Sequence, residues 1–248
     1  AIIIGIWSMI LLGALMRGIA VGMINNGIST LTGHLQIHRT GYRNDPSIDH
    51  SINTPQEVER ALQAVLPLGT RWVSRVRVNA VASNARHSFG VTLVGIEPSP
   101  EAALSFVGDA LSRGRYLNDA EQNGIFIGEA LLEKFETKIR RKLVIMSQDR
   151  RGEIASRAYR IVGTFKAEMQ ATEKQFVFVP RKSSQNMLQL DDAISEIAIL
   201  FPDRSEHPEI LAQLKATLPS DRFEINSWRE LLPFQTAYLK ILDGFIWI

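Results

Sequence analysis

The chain has 248 residues, of which 45% are hydrophobic and 22% are charged, and it contains no cysteine. This length is enough for one large domain or two smaller ones, and the composition excludes a disordered chain, a collagen-like chain and a disulfide scaffold. The formal net charge of +2 does not indicate a nucleic-acid-binding protein.

The N-terminal region is almost free of charge, since Arg17 is the single charged side chain between Ala1 and Gly33. The apolar run 1–16 is shorter than the roughly 20 residues that span a bilayer. We interpret it as the later part of a membrane helix; a signal peptide and a buried helix of a soluble fold are the alternatives.

The helical pattern continues after Arg17, because Ile24, Ile28 and Leu31 are spaced four and three residues apart on one face. Gly33 is a typical residue to end such a helix. We therefore predict that residues 1–33 form a membrane helix with an amphipathic extension outside the bilayer. The stripe Ile24, Ile28 and Leu31 is our candidate coupling contact; a passive linker is the alternative.

The C-terminal segment becomes apolar again after Pro233. We predict that residues 232–248 begin a second membrane helix, with Trp247 in the interfacial aromatic belt. The alternative is an amphipathic helix that packs on the domain.

Between these ends the sequence predicts a mixed α+β body. The first part contains a strand at 35–38, a helix that begins with Thr54 as N-cap, Pro55 and a capping box to Glu57, and strands at 71–82 and 88–97. The second contains helices at 102–111, 129–135 and 181–190, strands at 124–127, 142–147, 158–163 and 176–179, and a charged hairpin tip at 148–153. The third contains a strand at 194–201, a helix opened by Ser205 and Pro208, and a strand at 222–226.

No catalytic, cofactor or metal site is predicted. The sequence lacks the Gly-rich phosphate loops, the G-x-S-x-G elbow and H-E-x-x-H. His34 and His38 are four residues apart, but they lie in a predicted strand without a third ligand, so we expect them on a solvent-facing surface. The acidic pairs Asp191-Asp192 and Asp119/Glu121 are interpreted as solvated turns.

Basic residues cluster at Arg140, Arg141 and Lys142, and Arg150-Arg151 follows at the tip after the same strand. This cluster is our candidate contact with an anionic surface, either anionic lipid or an acidic partner. The alternative is an ordinary charged face.

Several short segments occur in a characteristic order. They are GHLQI at 33–37, LSRGRYLNDAEQNGIFIGEALLEKF at 111–135, YRIVGTF at 159–165, FVFVPRKSSQNML at 176–188 and WRELLP at 228–233. This order resembles the large extracytoplasmic domain of the MacB/FtsX-type ABC transporter permeases, which include the LolC/LolE lipoprotein-releasing subunits. Family members often have Gly-Asp where this chain has Arg140-Arg141.

The resemblance implies a porter-like α+β part at 34–97 and 194–231, interrupted by an inserted β-rich part at 98–193. It also implies a permease of the bacterial inner membrane whose large domain lies in the periplasm and pairs with a second permease chain. The chain itself would not be an enzyme, because ATP and Mg would bind to a separate ATPase subunit.

The function implied is mechanotransmission, in which ATP hydrolysis by the partner moves the periplasmic domain and releases lipoproteins or lipids from the membrane. An efflux permease that works with a periplasmic adaptor is one alternative. An FtsX-like regulator or a membrane-anchored sensor is the other.

Overall fold

The computed structural model describes residues 2–203 and 207–246. The expected roles of Ser205 and Trp247 lie outside the described residues. The helices are α1 (Ile2–Gly27), which continues as a π-helical turn at Ile28–Thr32, α2 (Pro55–Val65), α3 (Pro98–Leu104), α4 (Glu129–Lys134), α5 (Gln170–Gln175), α6 (Arg181–Leu188), α7 (Pro208–Thr217), α8 (Trp228–Leu231) and α9 (Pro233–Ile246). The strands are β1 (Leu35–Arg39), β2 (Arg71–Ser83), β3 (Ser88–Ile96), β4 (Leu111–Gly114), β5 (Gly124–Gly128), β6 (Lys142–Gln148), β7 (Ile154–Phe165), β8 (Phe176–Pro180), β9 (Glu196–Leu200) and β10 (Phe223–Ser227).

Strand β2 is long enough to join two parts of one sheet. Its first half pairs with β9 in an antiparallel sheet of order β10-β1-β9-β2. Its second half pairs with β3 on one side and with β6 on the other. The fold is therefore a mixed α+β fold, as the sequence predicts.

The antiparallel sheet is covered on one face by α2 and α7. Alternate residues of the strands, such as Ile37 on β1 and Ile197 on β9, point to these helices because side chains alternate along a strand. Each helix packs one apolar face on the sheet, and this face includes Val58, Leu62 and Leu214, which are fully buried.

The second half of β2 takes part in a closed ring of strands. The pairs run β2-β3-β8-β5-β7-β6 and back to β2, which makes a small six-stranded barrel. Fully buried side chains such as Leu93, Ile125 and Tyr159 fill one face of these strands. β2 and β3 belong to the predicted 34–97 part but also pair within the barrel, so the strands form one continuous sheet. The predicted division of the chain into two parts, at 97/98 and 193/194, stays a prediction.

The opposite face of β3, β8, β5 and β7 carries a second, aromatic-rich core. Phe126, Phe165 and Phe178 pack there with ring centroids 5.4–5.6 Å apart. We call this group, with Phe106 and Phe176, the aromatic cluster. Leu31, at the end of the N-terminal helix, packs into it.

Helices α1 and α9 contact each other and carry the apolar ends of the chain. Among the described residues, one helical segment is long and apolar enough to cross a membrane, Leu11–Thr32. Its outward residues include Leu11, Leu15 and Ile19, which are exposed in the isolated chain. The position of the bilayer along α1, and the membrane role of α9, stay predictions.

Two local predictions are wrong. The helix expected at 102–111 begins earlier, at Pro98, and ends at Leu104, because proline is well suited to the first turn of a helix. The capping box expected at Thr54 is also absent. Instead, the Glu57 carboxylate accepts two hydrogen bonds from Arg222, at 2.8 and 3.0 Å.

Candidate functional site at the junction of α1 and the domain

The junction begins where α1 widens into a single π-helical turn. The amide of Gly33 donates to the carbonyl of Ile28, five residues earlier, at 2.8 Å. The hydroxyl of Thr30 donates to the carbonyl of Asn26, at 2.7 Å, which satisfies an acceptor in the widened turn. Gly33 then ends the helix with a φ of 68°, as expected for glycine.

The predicted apolar stripe faces protein along this stretch. Ile24 and Leu31 are buried and Ile28 is half-buried. Leu31 packs into the aromatic cluster, and an added Cβ on Gly27 would lie 2.7 Å from Leu232, just before α9. The end of the N-terminal helix therefore packs against the domain on one side and against Leu232, just before α9, on the other. A coupling role for the stripe stays a prediction.

The strongest polar contact of the junction comes from Arg75, which is fully buried on β2. Its guanidinium donates two hydrogen bonds to Glu101 on α3, at 2.7 and 2.9 Å. It also donates to Glu196 on β9, at 3.0 Å, and to the backbone carbonyl of Leu31. We call Arg75, Glu101 and Glu196 the buried ion cluster; it joins the end of the N-terminal helix to two elements of the domain.

The charges of this cluster stabilise one another. Burial opposes ionisation of Glu196, but the guanidinium groups of Arg77 and Arg75 outweigh burial and lower its pKa below the ordinary value. Burial likewise opposes the charge of Arg75, but the two carboxylates raise its pKa. Arg75 and Glu196 therefore stay ionised at neutral pH, and the hydrogen bond from Arg75 to the helix end is a charge-assisted one.

The same sheet face carries a polar layer next to the ion cluster. His38 is buried, 2% exposed, and its ring stacks on Tyr42 with centroids 4.8 Å apart. Its Nε2 lies 3.0 Å from the amide oxygen of Gln36. Burial lowers the pKa of His38, so this ring is neutral at neutral pH.

The prediction that His34 and His38 face solvent is therefore wrong. His34 is also buried, and its Nδ1 accepts a hydrogen bond from the backbone amide of Phe201, at 3.0 Å. Both faces of β1 are covered. The helices of the sheet cover one face, and the other is contacted by the end of α1 at Gln36 and by Tyr42 at His38. Strand alternation alone could not reveal the second cover. Within residues 2–203 and 207–246, no group of three His, Cys, Asp or Glu side chains could hold a metal ion.

A further contact joins α1 to the loop after β7. The side-chain amide of Asn26 hydrogen-bonds to the carboxylate of Glu168. A groove of about 360 Å³ lies beside this contact, lined by Thr30 and Lys166 among others. The N-terminal helix thus touches β2, the aromatic cluster and the loop after β7 within two turns.

The remaining predicted residues lie elsewhere. Asp119 accepts hydrogen bonds from Ser99 in an exposed turn, and Glu121 pairs with Arg115. Arg140, Arg141 and Lys142 are exposed at the beginning of β6, whereas Arg150 lies at its other end and binds Asn53, at 3.0 Å. The seven residues of β6 separate the two groups by about 20 Å, so they do not form one surface.

The sequence reasoning missed the buried ion cluster. A signal was present, because Arg75 and Arg77 interrupt an apolar strand and Glu196 interrupts another. Charged side chains in such strands are rarely buried unless they are paired. The partners could not be matched, since Glu101 and Glu196 lie 26 and 121 residues from Arg75.

These features define a class of protein. A mixed α+β body packs against the end of one long apolar helix, α1, and a second helix, α9, contacts the first. An α+β domain at the end of a helix that is long and apolar enough to cross a bilayer fits a membrane-anchored domain.

The comparison with protein families identifies the class more closely. The family model of the MacB-like periplasmic core domain matches residues 1–217. The chain therefore belongs to this family and contains the periplasmic domain of a MacB-like ABC transporter permease. The resemblance found in the sequence is confirmed. No curated protein matches the chain.

Solved structures agree with this fold. The periplasmic region of MacB from Actinobacillus actinomycetemcomitans aligns with a TM-score of 0.55 at 13% identity, covering 86% of this chain and 97% of that one. The extracellular domain of the noncanonic ABC-type transporter YknZ from Gram-positive bacteria aligns with a TM-score of 0.53 at 12% identity, covering 77% of this chain and all of that one. At this identity the likeness establishes the fold.

Proposed function

We propose that this chain transmits motion from a membrane helix to a periplasmic domain in an inner-membrane ABC transport complex. A partner ATPase subunit binds and hydrolyses ATP with Mg, and a second permease chain completes the complex. The observation that carries the proposal is the anchoring of Leu31, whose side chain lies in the aromatic cluster and whose carbonyl binds Arg75. A helix fixed in this way cannot shift without moving the domain.

The cargo we propose is a lipoprotein or lipid released from the inner membrane. The support for this cargo is the resemblance to the LolC/LolE subunits. An efflux permease with a periplasmic adaptor uses the same junction, so the two are separated by a release assay with a lipidated protein substrate. Release that depends on ATP supports the proposal, and export of a soluble substrate alone supports efflux.

The first prediction concerns the ATPase partner. Full-length protein extracted in detergent is expected to copurify with an ATPase subunit. Hydrolysis should disappear when the phosphate-loop lysine of that partner is changed and should persist in Lys215→Ala, a change at an exposed position of α7. Hydrolysis by this chain without a partner would contradict the assignment.

The second prediction concerns topology. Because the sequence contains no cysteine, Arg151→Cys introduces a single thiol at an exposed hairpin tip. A membrane-impermeant maleimide is expected to label it in cells whose outer membrane is permeabilised. Phe126→Cys, at a fully buried position of the aromatic cluster, is the matched control and should react only after denaturation. Labelling of Arg151→Cys only after the inner membrane is lysed would place the domain in the cytoplasm.

A further inference from the structure

One region of the barrel surface carries unusually concentrated positive charge. Five exposed side chains, Lys138, Arg140, Arg141, Lys142 and Arg160, lie on one turn and the adjoining ends of a strand pair. We call these five the basic patch. Within the part of the chain that the structure describes, no carboxylate lies within ion-pair distance of any of them.

The backbone holds the patch in a fixed arrangement. The amide of Arg140 donates to the carbonyl of Ile161, at 2.8 Å, and the amide of Ile161 donates to the carbonyl of Arg141, at 2.9 Å. The guanidinium of Arg160 donates to the carbonyl of Arg140, at 3.0 Å. The turn is therefore fixed to β7 at Arg140 and Arg141.

Two features of the patch oppose stability. Arg140 has a φ of 74°, in the left-handed region that favours glycine over residues with a Cβ. Lys142 lies directly opposite Arg160 in the antiparallel pair, and like charges at opposed positions repel. Arg140 thus has a backbone conformation that glycine adopts more easily, and it adjoins two cations that repel each other. None of the described contacts of its side chain stabilises the fold in return, which points to a role for these side chains in binding.

We propose that the basic patch is a docking surface for the acidic face of a partner protein. Guanidinium groups bind carboxylates in a bidentate geometry, and an array held in place by the backbone binds them without losing conformational freedom of its own. A lipid surface is the less suitable occupant. Ile139, the apolar residue of the turn, packs against the barrel core and does not project for insertion into a bilayer. The proposal does not depend on the cargo or on the ATPase partner.

The test measures binding of a fluorescent 20-residue poly-L-glutamate to the full chain in nanodiscs of zwitterionic lipid. The variant Arg141→Glu/Lys142→Glu is expected to weaken binding about tenfold at low salt. The matched control Arg60→Glu/Lys215→Glu changes the net charge equally at exposed positions of α2 and α7, and it should bind as the unmodified chain does. Equal weakening by both variants, or by neither, overturns the proposal, because no specific site would then exist.

Two further measurements distinguish the occupant and the role of Arg140. Vesicles with 30% phosphatidylglycerol are expected to bind the chain more weakly than poly-L-glutamate does, and tighter vesicle binding overturns the proposal in favour of a membrane contact. Arg140→Gly is expected to weaken poly-L-glutamate binding without lowering the melting temperature, since glycine relieves the backbone. A lower melting temperature would mean that Arg140 is kept for stability, which also overturns the proposal.

Discussion

Replacement of Arg75 by methionine is expected to destabilise the domain by about 3–5 kcal/mol, which is the usual cost of removing one partner from a buried ion pair. The change leaves the carboxylates of Glu101 and Glu196 buried without their cation and removes a donor from the carbonyl of Leu31. Denaturant unfolding followed by circular dichroism measures the loss. A change below about 1 kcal/mol would contradict the structural role given to this arginine.

The loss is expected to depend on pH. In the unmodified chain the pKa of Glu196 is lowered, although burial opposes this, because Arg77 and Arg75 favour the ionised form. Its contribution to stability is therefore present above the pKa of the unfolded chain, about 4.3, and is lost as the pH falls through the lower pKa of the folded state. In Arg75→Met the burial of Glu196 has less compensation, so its carboxylate takes up a proton at a higher pH than in the unmodified chain. The difference in stability between the two proteins should therefore shrink as the pH falls from 7 to below about 4.3.

A second variant separates stability from transmission. Arg75→Met/Glu101→Leu/Glu196→Met replaces the whole ion cluster by apolar side chains, and such replacements are often neutral or stabilising. We expect this variant to regain most of the lost stability but to lack the charge-assisted bond to Leu31. If it also regains full transport, the bond is a structural contact and plays no part in coupling.

The sequence predicted the elements whose signals are local. β1 was found from alternation, and the end of the helix was found from Gly33, a residue type that typically ends helices. The hairpin of β6 and β7 was found from two apolar runs around a charged tip. In each case the residues that decide the structure lie within a few positions of one another.

The features that the sequence missed depend on distant partners. The burial of His38 follows from Tyr42, in the loop after β1, whose ring stacks on it, and closure of the barrel follows from the pairing of β2 with β6. β4 was also missed, because all four of its residues are exposed and show no apolar alternation. β4 is extended because it pairs with β7, so its conformation depends on a tertiary contact and not on its local sequence.

The candidate site was predicted in part. The stripe of Ile24, Ile28 and Leu31 was found from helical spacing. The surface that Leu31 packs against was not found, because the residues of the aromatic cluster are distant from one another in the sequence, from Phe106 to Phe178. The sequence indicated a helix that could transmit motion. The structure adds the two contacts that tie its end to the domain, one apolar and one ionic.

Ile28→Asp is expected to leave ATP hydrolysis measurable while reducing transport per ATP by about tenfold. Ile28 is half-buried between the fully packed Leu31 and the buried Ile24, so a carboxylate there loses hydration without gaining a donor. A helix end that is loosened from the domain can still move with the ATPase, but the domain follows it less completely. Reconstituted complexes provide both rates in the same preparation.

The neighbouring residue provides the matched control. Ser29 is the next residue of the same turn and is exposed, so Ser29→Asp adds the same charge one position away and should transport normally. Asn26→Pro tests the helix itself, because proline in a helix interior costs about 3 kcal/mol and kinks the backbone, and it should uncouple transport as Ile28→Asp does. Equal transport by Ile28→Asp and Ser29→Asp would show that the contacts of this stripe do not transmit motion to the domain. The helix would then serve only as an anchor.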